Sequence, residues 1–360
     1  MSLRQRLTDL AVGLAALLLF AQGAPAATGV ETATPDQQEL ILLNWSDYID
    51  PGLMAEFEER HGARVRQLYF GNDEERDRLL LQTDGRGYDL AIIDGTTLGS
   101  YVSRGWVAPL EPDRVPNLRH IDPRWRTAHR SAEDHAVPYF WGTIGIAYRA
   151  DLVEEELTSW RRFFEPPESL RGRIVALDDT RDLIGMALIA LGYSPNSEDL
   201  GELAEAETLL MRQKPSVQAY SYVTLDEHSD LVTGDVHAVM MYSGDALAVQ
   251  EYDENITYVV PEEGTILWVD YLAVMQSSQK KELAWKFINF LNEPQNAARL
   301  AEYLYYPTPN RSAEQHLPAE FLEDELIFPS RELVERSATY RSLSAQAIRQ
   351  YATIWSRVTD

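Results

Sequence analysis

The chain has 360 residues, no cysteine, 57 acidic against 32 basic residues and a formal net charge of −25. Without cysteine, neither a disulfide framework nor a thiol nucleophile is possible, so stability has to come from buried cores. The negative field excludes simple electrostatic attraction to nucleic acid or anionic lipid and concentrates cations, although the same charge would serve solubility alone.

Residues 1–26 carry Arg4 and Arg6, an apolar run from Leu10 to Phe20, and then Ala24-Pro25-Ala26. That order is the one of a cleaved secretory signal, predicted to end at Ala26. An apolar run of about 11 residues is too short for the ~20 that span a bilayer, so an anchor is the weaker alternative. At ~150 residues per domain the remainder suggests two domains.

Beyond the signal, short apolar runs alternate with amphipathic segments. Strands are predicted at Leu40–Asn44, Val65–Phe70 and Tyr88–Asp94, with helices at Pro51–His61 and Glu74–Gln82 between them, which reads as α/β. Asp50 before Pro51 suits a helix cap and first turn. Ala136–Gly142 follows neither period and reads as a crossover between domains, or else as a buried loop within one. A second set then begins: strands at Ile174–Leu177, Ala238–Tyr242 and Ile256–Val260, with helices at Arg181–Leu191 and Leu200–Arg212. Ile266–Val274 is strongly strand-like, and helical stripes close the chain near 284–291, 295–303, 319–322 and 342–356.

In an open α/β sheet, ligands collect beyond the carboxyl ends of the strands. Four predicted strands end in acids, aromatics or both: Trp45-Ser46-Asp47-Tyr48, Asp94, Asp178-Asp179, and Tyr242-Ser243-Gly244-Asp245. Each has a structural alternative. Asp94 can cap the next helix, Asp179 with Asp182 fits a helix start, Trp45 and Tyr48 can be core aromatics, and Tyr242 can be packed between domains. Trp268 and Asp270 share one face of their strand, and a carboxylate there needs a cationic ligand or an arginine.

Acids interleaved with flat apolar walls suit a polyamine, whose ammonium groups take charge-assisted hydrogen bonds and whose methylenes lie against rings. Catalysis finds no support: there is no Gly-x-Ser-x-Gly elbow, no His-Glu-x-x-His, no phosphate-cradling loop and no metal-spaced histidine pair. No cofactor, metal or nucleic-acid partner is expected.

Together, Asn44–Leu53, Tyr88-Asp89-Leu90, Val137–Gly142, Asp178–Leu188 with Gly192-Tyr193-Ser194, Trp268-Val269-Asp270 and Tyr306–Asn310 resemble the periplasmic spermidine/putrescine-binding proteins of ABC uptake systems. The resemblance implies a two-lobed periplasmic binding protein of type II with a ligand cleft between discontinuous lobes, 27–138 with 270–314 and 139–269 with 315–360. It also implies a monomer that delivers a polyamine to an inner-membrane ABC permease. By position, Trp45, Ser46 and Tyr48 would line one lobe, Asp179 and Asp182 would hold ammonium groups from the other, Tyr242, Trp268 and Tyr306 would wall the slot, and Asp270 would hold the central amine. Asp47 and Asp245 complete the candidate set.

Two departures stand out: Asp94 and Thr96 occupy positions where uptake members usually show Ser and Tyr, and Tyr242–Asp245 stands where they usually show Trp followed by Asn-Gly. An extra carboxylate at Asp94 is expected to favour a triamine over a diamine. Asp73–Leu81, His135–Gly142 and Tyr242–Asp245 are also similar to a sensory branch of the family, which docks on a membrane-bound cyclic-di-GMP enzyme. Sensing is therefore the alternative function.

Overall fold

In a computed structural model of the protein, the described residues are 38–360. The signal segment expected over residues 1–26 lies outside the described residues.

Nine strands, β1 (Gln38–Asn44), β2 (Ala63–Tyr69), β3 (Leu90–Asp94), β4 (Ala136–Arg149), β5 (Ile174–Ala176), β6 (Val217–Tyr220), β7 (Ala238–Tyr242), β8 (Ile256–Val259) and β9 (Leu267–Val274), form one sheet. Its order is β2-β1-β3-β9-β4-β7-β5-β6, with β8 paired to β4. Among the described residues, helices of eight residues or more are α1 (Pro51–His61), α2 (Asp73–Thr83), α3 (Gly95–Ser103), α4 (Thr180–Ala190), α5 (Leu200–Gln213), α6 (Ser243–Gln250), α7 (Lys281–Leu291), α8 (Pro294–Leu304) and α9 (Ala345–Thr359).

The sheet has two halves because β4 changes partners along its length. Residues Ala136–Thr143 pair with β9, whereas Ile144–Tyr148 pair with β7 and Ile146–Arg149 with β8. All 14 residues of β4 are buried, which is why neither a strand nor a helix period marks the segment. The crossover predicted at Ala136–Gly142 is the first half of this strand. β1, β2 and β3 are parallel to one another, as are β5, β6 and β7, and the antiparallel pair β4 and β9 lies between the two sets.

Alternation along the strands gives each half two apolar faces. In the first half, Leu40, Leu42, Leu90 and Ile92 pack with α1, α7 and α8, while Leu43, Ala91 and Ile93 pack with Leu80 and Leu98 of α2 and α3. In the second, Ile144, Ile174 and Met240 pack with α4, α5 and α9, while Ala147, Val175 and Val239 pack with α6. Residues Leu317, Phe321 and Ile327 belong to the first core, Tyr340 and Tyr351 to the second.

Helix starts follow the caps legible in sequence. Asp50 accepts from the Gly52 amide at 2.7 Å, with Pro51 in the first turn. At the centre of the first core, the fully buried Phe287 meets Phe57 edge-on, with ring centroids 4.8 Å apart. Phe287→Ala is expected to cost about 3–5 kcal/mol, measured as a lowered urea midpoint at an unchanged denaturant slope.

Candidate functional site

The carboxyl ends of β1, β3, β5 and β7 converge on a cavity of about 400 Å³, which β9 crosses. That volume suits a small ligand held between two layers of side chains. Eleven of the twelve residues expected at the site line it: Trp45, Ser46 and Tyr48 after β1, Asp94 at the end of β3, Asp179 and Asp182 after β5, Tyr242 and Asp245 around the end of β7, Trp268 and Asp270 on β9, and Tyr306 after α8. Asp47 does not join them. It is exposed, in a left-handed turn at φ 54°, a conformation open to Asp, and its carboxylate accepts from Ser46 Oγ at 3.0 Å.

Aromatic rings form a continuous wall. Trp268 meets Tyr306 edge-on at 4.9 Å and Tyr242 at 5.8 Å, and Tyr242 stacks on Tyr222 at 6.3 Å. Tyr242 and Trp268 each pack against both the first and the second core, so they bridge the two halves. Tyr242 thus does pack between the halves, as its structural alternative had it, and lines the cavity as well. Glycines make the close approaches possible: a Cβ on Gly142 would lie 2.5 Å from the Trp268 ring, and one on Gly244 would lie 2.5 Å from that of Tyr306.

The structural and site readings of two acids also coexist, because a carboxylate has two oxygens. Asp179 Oδ1 caps α4 by accepting from the Asp182 amide at 2.8 Å, and the same carboxylate lines the cavity. Asp94 Oδ1 caps α3 through the Thr96 and Thr97 amides at 2.8 and 2.9 Å, but its Oδ2 accepts from Arg76 at 2.7 Å. Asp94 is therefore an internally paired acid. The extra charge that was to favour a triamine is already matched, because a buried arginine on α2 reaches it.

The other acids are differently placed. Burial first, and then the negative charge of Asp94, push Asp270 up to about 7, with Arg76 and the nearby Tyr48 hydroxyl acting in the opposite direction. Burial also raises Asp182 to about 6, against the Tyr242 hydroxyl that donates to it at 2.7 Å. Asp245 is raised to about 6 by burial, although Tyr306 donates to it at 2.9 Å. Asp179 and Asp73 are held well above the carboxylate range, by burial and, for Asp179, by the charge of Asp182. Burial alone would raise Asp94 as well, but Arg76 with Thr96 and Thr97 more than offsets it and leaves about 2. Asp94 apart, these cavity carboxylates are ones whose ionisation is disfavoured unless positive charge enters.

Sequence reasoning did not find Phe70, Asp73, His129, Arg181, Tyr222 or Tyr340, all of which line the cavity. Tyr222 sits in a loop after the short β6, itself unexpected, and Tyr340 near the chain's end, neither beside a predicted strand terminus. Asp73 lies at a helix start, where an acid is ordinary. Among the described residues no three of His, Asp or Glu are placed to hold a metal ion together.

The profile of the family described as "Bacterial extracellular solute-binding protein" matches residues 52–329. The chain is 30% identical over 330 residues to the spermidine/putrescine-binding periplasmic protein of Escherichia coli, covering 91% of this chain and 93% of that one. It is 32% identical over 323 residues to the norspermidine sensor of Vibrio cholerae, covering 89% of each. Among solved structures, a putative spermidine/putrescine ABC transporter from Listeria monocytogenes superposes with a TM-score of 0.81 at 29% identity, over 89% of this chain and 99% of that one. The fold is the α/β two-lobed binding-protein architecture anticipated from sequence. No helix among the described residues is long and apolar enough to cross a membrane.

Proposed function

Because the chain belongs to the bacterial extracellular solute-binding protein family, we propose that it binds a linear polyamine between its lobes in the periplasm and delivers it to an inner-membrane ABC permease. The observation that carries this reading is that Asp270, Asp182, Asp179 and Asp245 share one cavity with the linked rings of Tyr242, Trp268 and Tyr306, Asp182 and Asp245 being hydrogen-bonded to the two outer tyrosines. Each acid is an acceptor for an ammonium group, and each ring covers methylenes while attracting the neighbouring cation by ~0.5–2 kcal/mol. A neutral sugar would leave these carboxylates uncompensated.

The lobes in this reading meet where β4 changes partners, at Thr143 and Ile144, and where β9 begins, at Leu267. Residues 317–327 are assigned in this reading to the first lobe instead of the second, because Leu317, Phe321 and Ile327 pack in its core. The protein acts as a monomer, carries out no chemistry on its ligand, and leaves the cytoplasm by way of a signal cleaved near Ala26.

Thermal melting with spermidine, norspermidine, putrescine and arginine tests the ligand class. A ligand bound only by the native state at a hundred times its Kd adds about 2.7 kcal/mol, so at least one polyamine should raise the Tm clearly and arginine should not. No shift with any polyamine ends the reading. The 32% identity to a norspermidine sensor supports a second reading, in which the loaded protein docks on a membrane-bound cyclic-di-GMP enzyme. Pull-down from inner membranes with and without polyamine separates the two: recovery of a permease supports delivery, and recovery of a diguanylate cyclase or phosphodiesterase supports sensing.

A further inference from the structure

The acids of the cavity are not alike, and the difference lies behind its wall. Arg76 of α2 is fully buried, yet the two carboxylates it holds both reach the cavity. Its Nη1 donates to Asp73 at 2.7 Å and its Nη2 to Asp94 at 2.7 Å, while Nε donates to the Tyr101 hydroxyl at 3.2 Å. Asp77 is a further acid, 3.7 Å from Nη2. The guanidinium lies 5.5 Å from the ring of Phe70, which itself lines the cavity. Side-chain exposure is 31% for Asp73 and 21% for Asp94 against none for Arg76, so the acids face the cavity from in front of their own cation.

We propose that Arg76 is a resident counter-cation that sets how many ammonium groups the cavity accepts, by neutralising Asp94 and sharing Asp73 on the strand-end side that faces Asp270. This deepens the polyamine reading and rests on it. A ligand gains at Asp270, Asp179, Asp182 and Asp245, whereas a further ammonium brought to Asp94 meets a carboxylate already paired and a guanidinium behind it. Length and charge are then limited by repulsion from Arg76 as well as by the volume of the slot. The mechanism is discrimination by an unfavourable contact for the over-charged ligand.

Calorimetric titration of the full chain with putrescine, spermidine and spermine reads this out as ratios of affinity. Arg76→Met releases both carboxylates and should raise the spermine-to-spermidine affinity ratio about tenfold. Asp94→Ser leaves Arg76 in excess and should move the spermidine-to-putrescine ratio about tenfold in the opposite direction, towards the diamine. Removing both partners of a buried pair restores the balance, so Arg76→Met with Asp94→Ser should return the ratios to within about threefold of the parent.

A merely structural Arg76 would lower all affinities together and leave the ratios alone. Ratios unmoved in folded single variants, or moved as far in the double variant as in Arg76→Met, overturn the proposal. Should Arg76→Met fail to fold, the opposite shift in Asp94→Ser decides it. A parent protein that binds none of the three amines ends the polyamine reading and this inference together, whereas parent binding with fixed ratios ends this inference alone.

Discussion

Asp270→Asn is expected to lower polyamine affinity about a hundredfold, the loss typical of one partner in a buried charge-assisted contact, with no loss of stability in the free protein. Asp270 stands on β9 opposite Asp94 of β3 and Phe140 of β4. It lies two residues from Trp268 along the strand and thus faces the same side, as alternation required. Burial and the charge of Asp94 already disfavour its ionised form, so the amide removes a destabilising charge when no ligand is bound. Titration calorimetry and melting of the ligand-free variant check the two halves. Unchanged affinity, or a marked fall in the Tm of the free protein, would make Asp270 a structural residue.

The second large effect is on pH. Asp270 at about 7 and Asp182 and Asp245 at about 6 are protonated in the free protein at about pH 5 and ionised at about pH 8. Binding an ammonium requires the ionised form, so binding releases protons and affinity rises across this window, by about a hundredfold from Asp270 alone. The effect on folding has the opposite sign. A carboxyl whose folded pKa is raised contributes stability below its unfolded value, and that contribution is lost as pH rises through 6 to 7. The ligand-free protein should therefore melt higher at about pH 5.5 than at about pH 8, while the polyamine-induced Tm shift grows between the same two values. Asp94, lowered to about 2, acts in another window: its stabilisation holds above the unfolded carboxylate value near 4 and is lost only as pH falls below it. A polyamine shift of equal size at both pH values would contradict the raised acids.

Much of this site was legible because strand ends are legible. The carboxyl-end rule selected Trp45, Tyr48, Asp94, Asp179 and Tyr242 from a chain with 57 acids and 18 tyrosines, and the cavity forms where those ends meet. The strand predicted at Ile266–Val274 and the helix at Pro51–His61 hold to within a residue, since periodicity and a proline-marked start specify them locally.

What sequence could not provide is pairing at a distance. Arg76 lies in the run Asp73-Glu74-Glu75-Arg76-Asp77-Arg78, which reads as a solvated helix face, and only the tertiary approach of α2 to the end of β3 makes it the partner of Asp94. Tyr306 was reachable by resemblance alone, and Tyr340 not at all, because both lie in segments whose place at the cavity depends on the path of the whole chain. Asp47, expected in the same run, is exposed at a left-handed position, with its carboxylate held by the hydroxyl of the cavity-lining Ser46.

The central claim is that the cavity takes a linear polycation, and calorimetric titration of the ligand-stripped protein with spermidine at about pH 8 tests it most directly. Saturation at one molecule per chain, abolished or severely weakened in Asp270→Asn and weaker at about pH 5.5, is the result expected. A protein that stays silent to spermidine, norspermidine and putrescine alike, or an affinity indifferent to Asp270, would contradict it.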